Sequence, residues 1–320
     1  MGGSVGRDAT LRCVSLITAP RLEGTVGLAD GRRLSFAEFG PPEGRAVFWL
    51  HGTPGARRQI PEAARVAAHE VGVRLIGLDR PGVGDSTPHL YRNVLAFADD
   101  LGTVADALGV GRFALIGLSG GGPYLLAAAH AFPARVMAGA VLGGVAPTVG
   151  PDAATGGLVG RVAPLGPLAA ALRVPLGLGM TGILWALRPF ASPGLDLYAR
   201  FSPEGDRKVF ARPEIKAMFI DDLLNGSRTG IRAPILDFVL FTRDWGFSVR
   251  DITVPIRWWH GDADHIVPLA HGQHVVDLLP NAELFIRPGE SHLGGLGAAE
   301  EVLTALLALW DRQTEPIANS

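Results

Sequence analysis

Phe113-Ala114-Leu115-Ile116-Gly117-Leu118-Ser119-Gly120-Gly121-Gly122-Pro123-Tyr124-Leu125-Leu126-Ala127-Ala128-Ala129 changes character at its centre. The first six residues form an unbroken apolar run, the mark of a strand buried on both faces. The residues from Gly120 to about 131 predict a helix. Residues 113–134 carry no Asp, Glu, Lys or Arg and are long enough to raise the question of a membrane span. The glycines and proline at the centre break that span, so the segment reads as strand, tight turn and helix. Within the turn lies Gly117-x-Ser119-x-Gly121. A serine on such a turn has a strained backbone and an exposed hydroxyl, and small residues two before and two after let strand and helix approach. The amides that follow point from a helix start and favour developing negative charge. Five positions of a degenerate pattern say little in a chain with 43 glycines, but strand before and helix after is the context the pattern needs. That context selects Ser119 as nucleophile.

Outward from this unit the same alternation recurs. Residues 25–29 and 34–39 flank Asp30-Gly31 as a hairpin. Residues 46–50, 73–78, 136–142, 254–259 and 284–287 read as strands, and 60–71, 94–108, 268–279 and 298–311 as helices. Strands alternating with helices predict an α/β fold with a mostly parallel sheet covered on both faces. The interval 148–248 breaks the pattern: it is helical, irregular and far longer than a crossover requires. The expected organisation is an N-terminal arm at 1–22, loose in structure, a core at 23–147 and 249–314, a helical cap or lid at 148–248, and a tail at 315–320. Within the insert, residues 159–187 are apolar and rich in small residues, which predicts helices packed on one another.

The composition narrows the class. Hydrophobic residues at 48% and charged residues at 19% supply a sizeable core. Lys plus Arg number 29 against 31 Asp plus Glu, which gives no electrostatic case for nucleic acid or an anionic membrane as the main partner. The one cysteine, Cys13, has no partner for an internal disulfide and no electropositive setting to activate it. Residues 11–20, interrupted by Arg12, are short for a signal segment, and Gly6 stands where a myristoylation start wants Ser or Thr. The expectation is a cytoplasmic protein without an integral membrane span, acting on a small molecule; no feature of the sequence sets an oligomeric state.

Three further motifs carry chemistry. His51-Gly52-Thr53-Pro54-Gly55 follows the strand ending at Leu50. Trp258-Trp259-His260-Gly261-Asp262-Ala263-Asp264-His265-Ile266-Val267-Pro268 follows another strand, and Gly289-Glu290-Ser291-His292 the last. With the serine turn, these resemble the α/β-hydrolase superfamily over roughly residues 24–147 and 249–312. The resemblance implies an α/β-hydrolase fold with a cap inserted before the last two strands. It implies Ser119 as nucleophile, His292 as general base and Asp264 as the carboxylate that orients the histidine, with Asp262 the rival for that role. The order Ser, Asp, His is the one this fold uses. It also implies an oxyanion hole formed by the backbone N–H groups of Thr53 and Gly120, with His51 shaping the loop. Asp79-Arg80-Pro81-Gly82-Val83-Gly84-Asp85-Ser86 resembles the family's loop after the fourth strand and is read as anchoring. His265, His271 and His274 lack the spacing of a metal site, and His69, His89, His130 and His260 are read as surface or packing residues. The chemistry implied is acyl transfer through an acyl-enzyme, with no cofactor and no metal.

Ser119 in place of aspartate argues against epoxide hydrolases and haloalkane dehalogenases. Proline iminopeptidases carry a similar loop, with Gly where Thr53 stands and Trp where Gly120 stands. Carbon–carbon hydrolases and cofactor-free haloperoxidases share the three residues. An esterase of a small, hydrophobic substrate is the least committed reading; the alternative of another class is a ligand-binding protein that has lost its chemistry.

Overall fold

A computed structural model describes residues 16–314. Cys13, the beginning of the arm and the tail 315–320 lie outside the described residues. Among those described, eight strands form one sheet in the order β1-β2-β4-β3-β5-β6-β7-β8. They are β1 (Leu22–Gly27), β2 (Arg33–Phe39), β3 (Arg45–Leu50), β4 (Val73–Leu78), β5 (Phe113–Leu118), β6 (Val136–Leu142), β7 (Ile256–Gly261) and β8 (Ala282–Arg287). β1 and β2 are antiparallel to their neighbours, and β3 to β8 run parallel.

Side-chain alternation along each strand splits the core into two layers. Phe48 and Leu50 face one side with Leu115, Phe113 and Trp258. Helices α2 (Phe97–Ala107) and α3 (Gly122–Ala131) cover that side. Val47 and Trp49 face the other with Ile116 and Trp259, under α1 (Glu62–Glu70) and the closing helix Ala299–Thr314. A sheet covered on both faces needs strands that are apolar throughout, and β5 and β6 are buried at every position.

Local chemistry moves a few boundaries. The helix expected from residue 60 starts at Glu62, because Pro61 occupies the cap with an extended backbone. The helix expected from 94 starts at Phe97, after the Asn93 carbonyl side chain accepts the Ala96 N–H at 3.1 Å. The strand expected at 254–259 runs from Ile256, past Pro255, which has no N–H for the ladder. The end of the N-terminal arm is not loose: Thr18 donates through N and Oγ1 to Glu62, at 2.7 and 2.6 Å, and Arg21 N donates to Glu38 O at 2.7 Å.

Between β6 and β7 the described chain forms seven helices: α4 (Gly157–Val162), α5 (Gly166–Ala171), α6 (Arg173–Leu187), α7 (Ala191–Phe201), α8 (Glu204–Phe210), α9 (Pro213–Gly226) and α10 (Ala233–Phe241). Helices α11 (Leu269–Leu278) and α12 (Ala299–Thr314) follow β7 and β8. The expectation that 159–187 packs helix on helix holds on one side only: α5 and α6 pack on each other and on the helix Ala233–Phe241, while the other side of α6 is uncovered. α6 buries only Gly177 and Thr181, its small residues, and turns its large apolar side chains outward. Added side-chain bulk at Gly177 would meet Arg232, so close approach is reserved for the small face.

Leu306, fully buried under the sheet, and Phe201, 80% exposed on α7, separate the two kinds of apolar residue. Leu306→Ala is expected to cost about 2–5 kcal/mol in urea unfolding, and Phe201→Ala less than about 0.5 kcal/mol.

Candidate active site

Strand register brings the carboxyl ends of the parallel strands to one edge: Leu50 pairs with Gly117, Leu118 with Leu142, and Gly261 with Arg287. The loops after β3, β5, β7 and β8 emerge there, where open α/β sheets bind ligands. Ser119 follows β5 directly, with φ at 50°, a left-handed backbone that non-glycine residues rarely adopt. The turn is tight enough that a Cβ on Gly121 would stand 2.1 Å from Leu50 O, and one on Gly117 2.8 Å from Gly121 O. The serine hydroxyl is thereby held at the edge of the sheet, 9% exposed.

Three side chains from separate loops meet at this turn. Asp264 Oδ2 lies 2.7 Å from His292 Nδ1, and His292 Nε2 lies 2.8 Å from Ser119 Oγ. A carboxylate at Nδ1 places the ring proton there and leaves Nε2 to accept from the hydroxyl. Asp264 Oδ1 accepts from the N–H groups of Ile266 and Val267, at 2.8 and 2.9 Å. Burial alone would raise its pKa, but hydrogen bonds from His260 and His292, the charge of His292 and the Val267 N–H hold the carboxyl far below its ordinary value. Asp262 is exposed and accepts from Gly289 N at 2.8 Å, so it ties two loops and stays away from the imidazole.

His260 gains a position that the motif reading gave to packing. Its Nδ1 accepts from Trp258 Nε1 at 3.1 Å, which leaves Nε2 to donate to Val267 O at 2.8 Å. The same nitrogen stands 3.5 Å from Asp264 Oδ2. The readable signal was the two-residue spacing of Trp258 and His260, which puts both on one face of β7. His271 and His274 hydrogen-bond the carbonyls of Thr155 and Asp152, both at 3.0 Å, and so fasten α11 to the start of the insert.

Thr53 and Gly120 stand side by side: a Cβ on Gly120 would come within 2.3 Å of Thr53 Oγ1. Neither of their N–H groups meets a hydrogen-bond acceptor among the described residues. His51 is buried and closes its own loop, Nδ1 against Gly52 O at 2.7 Å, with Nε2 accepting from Arg80 N at 3.3 Å. Burial, then the Arg80 charge, pushes its pKa well below the ordinary histidine value.

The loop conformation rests on Arg80, which is 1% exposed. Its guanidinium donates to the carbonyls of His51 and Gly52 at 2.5 and 2.9 Å, and to Thr53 Oγ1 at 2.8 Å. The counter-charge is Asp237 of α10, 2.8 Å away. Asp237 also accepts from Thr53 Oγ1 and Tyr124 OH, each at 2.6 Å. Two more insert aspartates work alike. Asp222 of α9 accepts from Ala56 N at 2.9 Å and Arg58 N at 3.1 Å, and Asp206 of α8 accepts from Leu293 N at 2.9 Å. Three buried carboxylates of the insert thus hold the chain after β3 and the loop that carries His292. The motif reading did not find them, because their partners are distant and no local pattern marks them.

Ser119, His292 and Thr53 open onto a cavity of about 360 Å³ whose other walls come largely from the insert: Leu195, Tyr198, Phe210, Phe219 and Leu223. Asp222 adds a buried carboxyl group to that wall.

Removing one partner of a buried ion pair strands the other charge. Arg80→Met or Asp237→Leu alone is expected to cost about 3–5 kcal/mol, and a double-mutant cycle in urea should show the two losses to be strongly non-additive. Burial and the neighbouring Asp79 charge push the Asp222 pKa up to about 8. A raised folded-state pKa means that its contribution to stability is full below the ordinary value of 3.8 and is lost as pH rises through about 8. Asp222→Asn should therefore flatten the fall in melting temperature across that window, measured by thermal unfolding at a series of pH values.

Comparison with known proteins agrees with this architecture. The family model for the alpha/beta hydrolase fold matches residues 45–165. A bifunctional esterase/perhydrolase of Acinetobacter calcoaceticus is 25% identical over 291 residues, 89% of this chain and 98% of that protein. A proline iminopeptidase of Neisseria gonorrhoeae is 32% identical over 132 residues, 40% of this chain; the match spans only 42% of that protein. Among solved structures, an esterase of Exiguobacterium antarcticum superposes with a TM-score of 0.63 at 19% identity, covering 91% of this chain and all (100%) of the other. A bromoperoxidase of Bacillus anthracis does so with 0.63 at 21% identity, over 90% and 100%. The sheet order, the family-model match over residues 45–165 and these structural likenesses together show that the chain has the α/β-hydrolase fold.

Proposed function

We propose that the protein is a serine hydrolase that cleaves an ester of a small, apolar substrate through an acyl-enzyme. The observation that carries this reading is the unbroken hydrogen-bonded line from Asp264 through His292 to Ser119, at 2.7 and 2.8 Å, ending in the apolar cavity.

Ser119 Oγ attacks the acyl carbon while its proton passes to His292 Nε2. Asp264 stabilises the imidazolium and keeps Nδ1 protonated. The N–H groups of Thr53 and Gly120 receive the charge that develops on the carbonyl oxygen; one such donor is typically worth about 3 kcal/mol of transition-state stabilisation. The alcohol departs with the proton from Nε2. Water then gives a proton to Nε2 and attacks the acyl carbon, and the acid leaves as Ser119 recovers its proton. Every step uses groups of this chain. Segment 148–248 acts as the cap: its helices supply the apolar wall that meets the acyl or alcohol group.

A second reading is favoured by the relative aligned over 98% of its length, whose name joins ester hydrolysis with perhydrolysis. The same acyl-enzyme can be released by hydrogen peroxide instead of water, yielding a peracid.

Wild-type protein should label with a fluorophosphonate probe and turn over p-nitrophenyl esters, and Ser119→Ala should lose both signals. Asp264→Asn should lower kcat by about 10⁴-fold with labelling correspondingly slow. Peracid formation from a short ester and peroxide assigns the second reading, and release of nitroaniline from prolyl-p-nitroanilide would assign an iminopeptidase. Wild-type protein that neither labels nor turns over any of these would leave a ligand-binding protein in place of an enzyme.

A further inference from the structure

Helix α6 reverses the usual amphipathic order. Gly177 and Thr181 face the protein, where Thr181 Oγ1 accepts from Ile231 N at 3.1 Å. Trp185 Nε1 donates to Ser227 O at 2.7 Å from the same side. The outer face carries Leu176, Leu178, Ile183 and Leu187, continued by Phe190 of the following 3-10 turn and by Phe201 of α7. Most exposed large apolar side chains among the described residues lie in 165–201. A helix apolar all round is normally covered on every side, and a patch of this kind marks an interaction surface.

Its surroundings select the occupant. Between residues 157 and 201 the charged residues are Arg161, Arg173, Arg188, Arg200 and Asp196. Asp196 is already paired with Lys216 at 2.6 Å. Arg161, Arg173 and Arg200 are exposed and have no carboxylate partner among the described residues. The segment is therefore basic in a chain of net charge −2. A two-fold contact between copies would set this basic rim against itself. Arginines around an apolar face of Leu, Ile and Phe instead match an anionic lipid surface.

The stretch Arg173–Phe201 is long and apolar enough to cross a membrane. Its inner side is committed to the protein, however, and a 3-10 turn at Arg188–Phe190 interrupts its α-helical run, so it fits a position in the plane of the interface. From these observations we propose that the outer face of α6 and α7 docks on an anionic lipid bilayer. Resting on the hydrolase reading, the arrangement also suggests the source of the substrate. Leu195 and Tyr198 of α7 line the cavity while Leu197 and Phe201 are exposed, so an apolar ester could pass from bilayer to Ser119 along one helix.

Sedimentation of the full chain with sucrose-loaded vesicles tests the docking. Binding is expected to vesicles of phosphatidylcholine mixed with phosphatidylglycerol, and far less to pure phosphatidylcholine. Arg173→Gln with Arg200→Gln should weaken it by about thirtyfold. Leu187→Asp with Phe190→Asp should abolish it while keeping the wild-type melting curve and the wild-type rate on soluble p-nitrophenyl acetate, since neither residue lines the cavity. An esterase assay on the same wild-type protein separates the two ideas: vesicle binding by a wild type without esterase activity keeps the docking and removes the hydrolase. Absence of binding to anionic vesicles overturns the proposal. So does a dimer in light scattering that Leu187→Asp with Phe190→Asp dissociates, which would give the face to a second copy.

Discussion

Gly121 presses so closely on the end of β3 that its missing Cβ would lie 2.1 Å from the Leu50 carbonyl oxygen. This contact couples two loops that are far apart in sequence. It seats the helix start after Ser119 beside the loop after β3, and therefore puts Gly120 against the Thr53 side chain. It also accounts for the strain at Ser119, since the chain must reverse within the few residues between Leu118 and Gly122. The sheet provides the rigid base, with β5 buried at every position between β3 and β6. A turn under strain persists only when its surroundings over-determine it.

Electrostatics fixes what packing leaves adjustable. Asp264 holds His292 by one oxygen and takes two backbone amides on the other, so the imidazole has one favourable orientation. Arg80 plays a comparable part in the loop after β3, where it binds carbonyls and so turns their N–H partners the other way. Neither group acts alone. Asp264 is backed by His260, and Arg80 by Asp237 from the insert. Because the insert contributes Asp206, Asp222 and Asp237 to the edge of the sheet, it is part of the framework of the site as well as a wall of the cavity.

The insert therefore has two unlike sides. Toward the core it is polar at a few buried points and otherwise apolar, as an interior should be. Away from the core, α6 and α7 present large apolar side chains and arginines. Small residues at Gly177 and Thr181 make the inner contact close and leave the bulky ones no interior to fill.

The alternation of apolar runs with helical periods sufficed to read the core from the sequence, because parallel strands buried on both faces leave a local mark. The glycines around Ser119 and the loops that carry Asp264 and His292 were legible for a similar reason: a sharp strand-to-helix turn and tight loops after strands demand particular residue types at short spacing. His260 was visible but misjudged, since strand alternation places it without revealing that Asp264 lies in front of it. What the sequence determined by itself was this locally encoded chemistry and the α/β class. Only the tertiary structure decided which buried carboxylates of the insert serve the site and which apolar residues of the insert face outward. Those outcomes depend on partners distant in the chain, from Trp185 and Ser227, 42 positions apart, to Asp237 and Arg80, separated by 157, and no local period records such a pairing.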